Sequence, residues 1–286
     1  MEKVIIKGVA DFNLDNIFDC GQCFRWEKQV DGSYTGVAMG KAINVDYNDS
    51  GEVVIKGTTQ EDVDVNWRTY LDLDRDYGAI KKFLKQADPV IGKAISYGGG
   101  IRILKQEPWE TVVSFIISQN NNIPRIKKCI NSLAENFGTK VGTAQKGDFY
   151  ALPGPEVLAK LTVEDLGVCK LGYRAKYLVS TAKQVMEDGI GKLQGLVSPD
   201  VSKEEAFNYV VGLTGIGPKV ANCILLFAMG KYDSFPIDTW VKKVMHELYN
   251  IDEKDMKAME KFAKDTFGEY GGMAQQYLFY YMKENS

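Results

Sequence analysis

The chain has 286 residues, of which 45% are hydrophobic and 26% are charged, and its formal net charge is −3. This composition is typical of a globular protein with two or three packed subdomains, and it argues against a disordered chain or one that coats nucleic acid by overall positive charge. No apolar run reaches the length of about 20 residues that a membrane helix needs. The first residues also lack a secretion signal. We therefore expect a cytoplasmic protein, associated with the nucleoid if the organism is a prokaryote.

The first residues show the pattern of short strands. Ile43, Val45 and Tyr47 alternate with polar residues, and turn signals occur at residues 31–33 and 48–51. This pattern predicts an antiparallel sheet over residues 3–57, with a helix from Tyr77 to Gln86 lying over it. The glycines at 98–100 suggest that a small α+β domain ends at residue 99.

The remaining residues, 100–286, show helical periodicity and predict a second, mainly helical region with two lobes. Pro108 begins an almost entirely apolar helix, and the asparagines at 120–122 end it. Ser202 and Glu205 form a capping box at the start of a predicted helix-hairpin-helix at about 203–229. The predicted fold class is therefore α+β, with an N-terminal antiparallel sheet domain followed by this helical region.

The hairpin carries residue types that bind phosphate. Gly215 and Gly217 allow positive φ, so that backbone N–H groups can point toward one anion. Pro218 suits the first position of the next helix. Lys219 follows in the first turn, where the helix dipole disfavours a cation. This position and apolar neighbours such as Val220 would lower the pKa of the lysine, which makes the neutral, nucleophilic amine easier to populate. The alternative is a solvated or phosphate-contacting lysine.

Asp238 is the second residue with a placement of chemical interest. It follows the apolar residues 235–237 and precedes residues with an apolar helical pattern, so it is a predicted helix N-cap. A capping carboxylate uses one oxygen for backbone N–H groups and can turn the other toward a cavity. Two antiparallel helices joined by residues 230–235 would bring Asp238 near Lys219.

Five ordered motifs resemble one enzyme family. They are GQCFRW at 21–26, SQNNNIPRI at 118–126, LGYRAKY at 171–177, LTGIGPKVANC at 213–223 and MAQQYLF at 273–279. Together they resemble the 8-oxoguanine DNA glycosylases of the helix-hairpin-helix base-excision superfamily, and the lysine marks the bifunctional glycosylase/lyase branch. The similarity spans nearly the whole chain.

The resemblance implies a mechanism and a partner. Lys219 would attack the sugar C1′ and form a Schiff base, elimination would nick the strand, and Asp238 would stabilise the positive charge on the sugar. The hairpin at Gly215, Gly217, Lys219 and Val220 would bind phosphate, with a monovalent cation on the backbone of Leu213 and Gly215. The implied partner is damaged double-stranded DNA, bound by a monomer with no membrane association.

The resemblance also implies a pocket for the extruded base. The carbonyl of Gly21 would accept the N7 hydrogen of 8-oxoguanine, Gln275 would read the Watson–Crick edge, and Phe279 and Cys223 would lie on the two faces of the base. Plainer alternatives are a tight turn for Gly21 and core packing for Cys223 and Phe279. Phe227 occupies a position where some relatives have methionine, and we interpret it as a repacked pocket wall.

A further group matches residues that fill the space left in the DNA and contact the orphaned cytosine. The group consists of Asn120, Arg125, Tyr173 and Arg174. The alternatives are a helix cap for Asn120 and surface charge for the arginines. As a set, they predict a preference for cytosine opposite the lesion. Trp240 departs from the family, since animal enzymes have a phosphate-contacting histidine at this position.

The charges and the cysteines of the chain also form patterns. Lys170, Arg174, Lys176 and Lys183 predict a basic surface that faces DNA. Cys20 and Cys23 have redox or zinc spacing, but no second pair follows. Some relatives hold an iron–sulfur cluster with cysteines that follow the aspartate, whereas no cysteine follows Cys223 in this sequence. We therefore expect no iron–sulfur cluster, no NAD and no catalytic metal. The sole histidine, His246, argues against a histidine-based metal site.

Three alternatives remain open. The first is another glycosylase of the superfamily with a different base specificity. The second is a non-catalytic helix-hairpin-helix DNA-binding module, which would need neither Lys219 nor Asp238. The third, a CxxC redox protein, rests on Cys20 and Cys23 alone.

Overall fold

The computed structural model describes residues 2–144 and 147–285. Its first part contains a five-stranded antiparallel sheet with strand order β1-β5-β4-β3-β2. The strands are β1 Lys3–Ile6, β2 Trp26–Lys28, β3 Tyr34–Ala38, β4 Lys41–Tyr47 and β5 Val53–Lys56. The predicted antiparallel sheet is confirmed.

Strand β4 alternates between buried apolar residues and less buried residues, as its sequence predicts. Ile43 and Val45 are buried, and Val45 pairs with Ile55 of β5. Because successive side chains of a strand point to opposite faces, this register places the apolar residues of neighbouring strands on one face. That face packs against the helices α1 Leu14–Phe18 and α3 Arg68–Tyr70 and a π-helical turn at Val63–Trp67. The short helix α2 Gln60–Asp62 precedes this turn and has no buried residue.

The rest of the described chain is mainly helical. The helices are α4 Tyr77–Ala87, α5 Ile91–Tyr97, α6 Pro108–Ser118, α7 Ile123–Phe137, α8 Pro155–Leu158, α9 Arg174–Asp188, α10 Ile190–Gly195, α11 Lys203–Val211, α12 Pro218–Ala228, α13 Thr239–Tyr249, α14 Met256–Phe267 and α15 Gly271–Glu284. A small hairpin of β6 Lys140–Ala144 and β7 Gly147–Tyr150 follows α7, and 3₁₀ turns occur at Asp165–Cys169 and Gly268–Tyr270. None of the helices in the described ranges could span a membrane.

The predicted helix α4 is present, but its expected position over the sheet is wrong. Its apolar residues Tyr77, Ile80 and Leu84 belong to the core of the helical region and not to the core under the sheet. The reason is that α5 and α14 supply the apolar surface that covers this stripe. Local periodicity identifies the buried face of a helix but not the element that covers it.

The helix-hairpin-helix consists of α11 and α12 as predicted, and α12 packs on the buried helix α6. Ser202 caps α11 by accepting a hydrogen bond from the Glu205 N–H at 3.1 Å. The N-cap of α7 is Asn122, which accepts from the Arg125 N–H at 3.0 Å. The domain boundary at residue 99 stays a prediction.

Gln22 connects the sheet region to the helical region. This fully buried side chain donates to the carbonyls of Ile17 at 2.9 Å and Arg102 at 2.8 Å, and it accepts from the Leu104 N–H at 2.9 Å. Its own carbonyl accepts from the Gln106 side chain at 2.7 Å. Because buried polar groups need all these partners, the loop that contains residue 21 is held in one position against the helices.

Glu110 in the first turn of α6 should make stability depend on pH. Burial raises its pKa from 4.5 to about 7, while the Arg25 guanidinium at 3.8 Å opposes the rise. The folded protein thus binds this proton more tightly than the unfolded chain. The stabilisation is fully present below about pH 4.5 and is lost as the pH rises to about 7, by up to about 3 kcal/mol.

We expect Glu110→Gln to flatten this dependence, which urea unfolding between pH 4.5 and 7.5 would measure. Glu135→Gln, at an exposed position of α7, is the matched control and should leave the slope unchanged. Equal slopes for the wild type and Glu110→Gln would contradict the assignment.

Candidate active site

One cavity brings together all seven residues that were predicted to form the catalytic pair and the base pocket. They come from the loop after α1, from α12, from the cap of α13 and from α15: Gly21, Lys219, Cys223, Phe227, Asp238, Gln275 and Phe279. The lysine and the aspartate line this cavity although they begin different helices. The roles of the seven residues stay predictions.

The cavity also contains residues that the sequence did not reveal, namely Cys20, Phe115, Pro236 and Gln276. Phe115 of α6 stacks on Phe227, with ring centroids 5.5 Å apart and planes inclined by 19°. The Lys219 Nζ lies 5.7 Å from the centre of the Phe115 ring. Phe115 gave no signal in the sequence, because α6 is apolar on nearly every side.

The expected depression of the Lys219 pKa is wrong for the free protein. The Cys223 sulfur is the largest cause of a raised pKa, burial opposes the rise, and the Asp238 carboxylate adds to it. Burial also raises the pKa of Cys223. The Cys223 and Lys219 side chains are therefore coupled, and the sulfur and the Asp238 carboxylate both favour the ammonium form of the lysine. The nearby aromatic face favours the same charged form.

Asp238 is the N-cap of α13, as predicted, and its Oδ1 accepts a hydrogen bond from the Val241 N–H at 2.8 Å. Burial raises the pKa of Asp238, while this hydrogen bond and Lys219 lower it. The buried residues Phe235 and Ile237 fix the chain before the cap. The cap hydrogen bond and the buried chain before it thus fix the position of the Asp238 carboxylate at the cavity.

The cavity is nearly closed. Its volume is about 50 Å³, which is far below the roughly 300 to 1,000 Å³ of ligand pockets. Gly21 has a φ of +80°, and a Cβ there would lie 3.5 Å from the Phe279 ring, so this ring covers the glycine. The Gln275 Oε1 is buried and has no hydrogen-bond partner in the described part of the chain. An unpaired buried acceptor of this kind is costly unless a ligand pairs with it.

The hairpin between α11 and α12 agrees with only half of the glycine prediction. Gly215 has a φ of +80°, and the ring of Tyr177 occupies the place where a Cβ would be, at 2.4 Å. Gly217, however, has a φ of −94° and is the N-cap of α12. No heavy atom lies within 4 Å of the Cβ position of Gly217, so this backbone is open to solvent.

The four predicted orphan-base residues lie around the turn between α6 and α7 and the start of α9. Asn120, Arg125 and Tyr173 are exposed there, and Tyr173 is 50% exposed although it is a large hydrophobic residue. Arg174 is only 3% exposed and points inward. Both predictions that placed Arg174 on the surface, as part of a basic strip or as plain surface charge, are therefore wrong, because carbonyl groups inside the turn bind its guanidinium.

The other predicted basic residues, Lys170, Lys176 and Lys183, are exposed. Trp240 in the first turn of α13 is partly buried, and its ring lies 5.8 Å from the Lys243 Nζ. All five cysteines are buried and free. Within residues 2–144 and 147–285, no group of three or more histidine, cysteine, aspartate or glutamate side chains could hold a metal ion.

A sheet domain, a helix-hairpin-helix, and a lysine and aspartate in one cavity define a class of DNA repair protein. Residues 113–267 match the model of the HhH-GPD superfamily base excision DNA repair proteins. Residues 4–112 match the N-terminal domain of 8-oxoguanine DNA glycosylase. The chain belongs to the 8-oxoguanine DNA glycosylase family of this superfamily.

Individual proteins to which the chain is similar support the same family assignment. A Clostridium acetobutylicum 8-oxoguanine glycosylase/lyase, solved with double-stranded DNA containing cytosine opposite 8-oxoguanine, is 43% identical, with a TM-score of 0.92 over 99% of this chain and 96% of that chain. The Arabidopsis thaliana N-glycosylase/DNA lyase OGG1 is 27% identical over 94% of this chain and 77% of its own length. The Saccharomyces cerevisiae N-glycosylase/DNA lyase is 37% identical over 53% of this chain and 43% of its own length.

The double role of Asp238 allows its charge to be separated from its cap. Asp238→Asn keeps a capping oxygen but removes the charge, whereas Asp238→Ala removes both. We expect base excision to fall by about 100-fold or more in both variants. Urea unfolding should show Asp238→Ala to be less stable than Asp238→Asn, because loss of the cap costs about 1 kcal/mol. An Asp238→Asn enzyme with normal excision would exclude a catalytic role for the charge.

Proposed function

We propose that this protein is a bifunctional DNA glycosylase and abasic-site lyase that removes 8-oxoguanine from duplex DNA, preferably opposite cytosine. The observation that carries the proposal is the shared cavity of Lys219, Asp238, Gly21, Gln275 and Phe279. The residues that we propose as nucleophile, stabilising carboxylate and base-reading groups thus lie in one place.

In the proposed reaction, neutral Lys219 attacks C1′ of the extruded nucleotide. The Nζ–C1′ bond forms, the N-glycosidic bond breaks, and the base departs with the bonding electrons and takes up a proton. The proton that Lys219 must lose before the attack balances the one that the base gains. Asp238 stabilises the positive charge that develops on the sugar. Opening of the sugar ring then gives a Schiff base, and elimination of the 3′ phosphate nicks the strand.

The raised pKa of Lys219 sets a condition on this reaction. In the free enzyme the Cys223 sulfur, the Asp238 carboxylate and the Phe115 ring favour the ammonium form of the lysine. Entry of the nucleotide must therefore be coupled to removal of one proton. A sugar that becomes cationic beside Asp238 competes with the ammonium for the same negative charge, which favours loss of the lysine proton as the reaction proceeds.

Recognition of the base would use the Gly21 carbonyl and the Gln275 side chain. The Gly21 carbonyl accepts the N7 hydrogen of 8-oxoguanine, whereas guanine has an acceptor at N7 and would be repelled. The Gln275 Oε1, which lacks a partner in the described chain, accepts from the Watson–Crick edge. Because the cavity has only about 50 Å³, Phe279 must move away from Gly21 before a purine can enter between it and Cys223.

The hairpin would anchor the DNA backbone near the extruded nucleotide. The first N–H groups of α12, including those of Lys219 and Val220, have no intrahelical partner and suit a phosphate. The space beside Gly217 allows a close approach of the DNA backbone. A monovalent cation on the backbone of Leu213 and Gly215 stays a prediction, since the Gly215 carbonyl accepts one hydrogen bond from the Gln119 side chain at 2.9 Å and keeps a second lone pair.

The proposal also includes the oligomeric state, the cofactors and the location of the protein. The protein would act as a monomer on double-stranded DNA, without an iron–sulfur cluster and without NAD. It would work in the cytoplasm, at the nucleoid if the organism is a prokaryote. The alternative is a glycosylase of the same superfamily with another base specificity, which would share Lys219 and Asp238 but not need Gly21 and Gln275.

Borohydride trapping tests the nucleophile and the substrate together. The assay uses a duplex with one 8-oxoguanine opposite cytosine, beside undamaged, thymine-glycol and adenine-mismatch duplexes. We expect a covalent adduct only with the first duplex. Lys219→Gln should abolish the adduct and retain DNA binding, because only the amine forms the Schiff base.

Lys264→Gln makes the same substitution at an exposed position of α14 and should trap normally. An adduct with a different duplex would keep the lysine chemistry and overturn the pocket. An adduct that persists in Lys219→Gln would refute the nucleophile. A wild type that forms no adduct with any duplex would favour a non-catalytic DNA-binding module.

A further inference from the structure

Two consecutive glutamines of α15 differ in their surroundings. Both are buried and both line the cavity. The Gln275 Oε1 has no hydrogen-bond partner in the described part of the chain. The Gln276 Nε2, in contrast, donates to the Cys20 carbonyl at 3.4 Å and to the Cys20 Sγ at 3.6 Å. The oxygen of Gln275 is therefore available to a ligand, while the amide of Gln276 is bonded to the loop that contains Gly21.

The Cys20 thiol connects Gln276 to the peptide group that follows Gly21. It donates to the Ile17 carbonyl at 3.3 Å while its sulfur accepts from Gln276. Burial raises the pKa of Cys20 to about 12, and hydrogen bonds from the backbone and the side chain of Gln22 oppose this rise. The thiol thus stays protonated near neutral pH, so it donates one hydrogen bond and accepts others.

The two peptide groups that flank Gly21 decide what this residue presents to the cavity. Gly21 has a φ of +80°, and because glycine populates several backbone regions at low cost, its own sterics do not fix these peptide groups. A flip of the peptide between Gly21 and Gln22 would replace the Gly21 carbonyl with the Gln22 N–H. A carbonyl accepts the N7 hydrogen of 8-oxoguanine, whereas an N–H would donate to the N7 acceptor of guanine. The flip would therefore reverse the preferred base.

We infer that Gln276 and Cys20 are positioning residues, which hold the Gly21 carbonyl toward the cavity and thereby set the discrimination between 8-oxoguanine and guanine. The inference rests on the proposed function, in which the Gly21 carbonyl reads N7. Gln276 fixes the peptide before Gly21 through the Cys20 carbonyl. The Cys20 sulfur fixes the peptide after Gly21 through the Gln22 N–H.

The other buried amide of this loop does not replace these contacts. The Gln22 side chain bonds to Ile17 and to backbone groups at residues 102 and 104, so it fixes the loop against the helices. The Cys20 carbonyl lies on the other side of Gly21 and accepts from Gln276. A role of Gln276 in stability alone would affect all substrates equally, whereas a positioning role affects the choice between bases.

Two bases that differ at N7 test the inference. 8-Oxoguanine has a hydrogen at N7, whereas 8-methoxyguanine also has an oxygen at C8 but keeps an acceptor at N7. Equilibrium binding is measured for duplexes with either base opposite cytosine, on a 2′-fluoro sugar that resists excision. We expect the wild type to prefer the 8-oxoguanine duplex. Gln276→Met should reduce this preference by about tenfold, which is the effect of one lost hydrogen bond.

Matched variants separate positioning from base contact. Gln275→Met removes a contact with the Watson–Crick edge, which both bases share, so it should weaken both complexes equally and leave the preference unchanged. Cys20→Ala should lower the preference as Gln276→Met does. Cys20→Ser keeps a donor and an acceptor at the place of the thiol and should retain the preference. Gln86→Met, at an exposed position of α4, is the control and should behave as the wild type.

The inference and the proposed function fail in different ways. A wild-type preference in both Gln276→Met and Cys20→Ala would overturn the inference and leave the proposed function intact. A wild type that binds both duplexes equally would count against the proposed base reading itself.

Hydrogen exchange of the Gln22 N–H in the free protein tests the hold on the loop without DNA. We expect faster exchange in Gln276→Met and Cys20→Ala than in the wild type and Cys20→Ser. Equal exchange in all four proteins would overturn the inference. If Gln276→Met does not fold, the comparison of Cys20→Ala with Cys20→Ser decides by itself.

Discussion

The site depends on keeping a lysine at the start of a buried helix. The positive end of α12 and the loss of water both disfavour the ammonium of Lys219. The protein offsets these costs with the Cys223 sulfur one turn further along α12 and with groups from other elements, the carboxylate of Asp238 at the cap of α13 and the ring of Phe115 in α6. The starts of α12 and α13 must therefore face one cavity. Most of the remaining architecture serves this requirement, since α12 is almost entirely buried and the chain before Asp238 is fixed by Phe235 and Ile237.

The closed pocket follows from the same packing. A core at normal density does not keep an empty space the size of a purine, so Phe115 stacks on Phe227 and Phe279 covers Gly21. Opening this space has a cost that only a bound nucleotide can offset. A base that satisfies the Gly21 carbonyl and the Gln275 oxygen offsets it better than one that leaves them unpaired. Under the proposed base reading, closure in the free protein would contribute to selectivity, because the wrong base must pay for the same opening with fewer hydrogen bonds.

Local patterns in the sequence predicted the features that depend on local physics. Alternation identified the sheet, proline and asparagine marked the ends of α6, and Asp238 was recognised as a cap. The features that escaped prediction are contacts between residues far apart in the chain. Gln22 pairs with residues 80 and more positions away, α4 is covered by α14, and Arg174 binds a turn 54 and 55 residues before it. The sequence around these residues therefore does not predict which distant residues they contact.

Resemblance to a family has a similar limit. Motif matching identified Asn120, Arg125, Tyr173 and Arg174 as one functional group, and the structure places all four around one turn, yet it buries one arginine and exposes the other. Motif matching also identified Gly21 and Gln275 but not the role of Gln276, whose contacts with Cys20 are visible only in the fold. A group that reads a base is selective only while its neighbours hold it in one orientation. Because a glycine has no side chain that could restrain its own peptide groups, the orientation of the Gly21 carbonyl under the proposed base reading has to come from other residues.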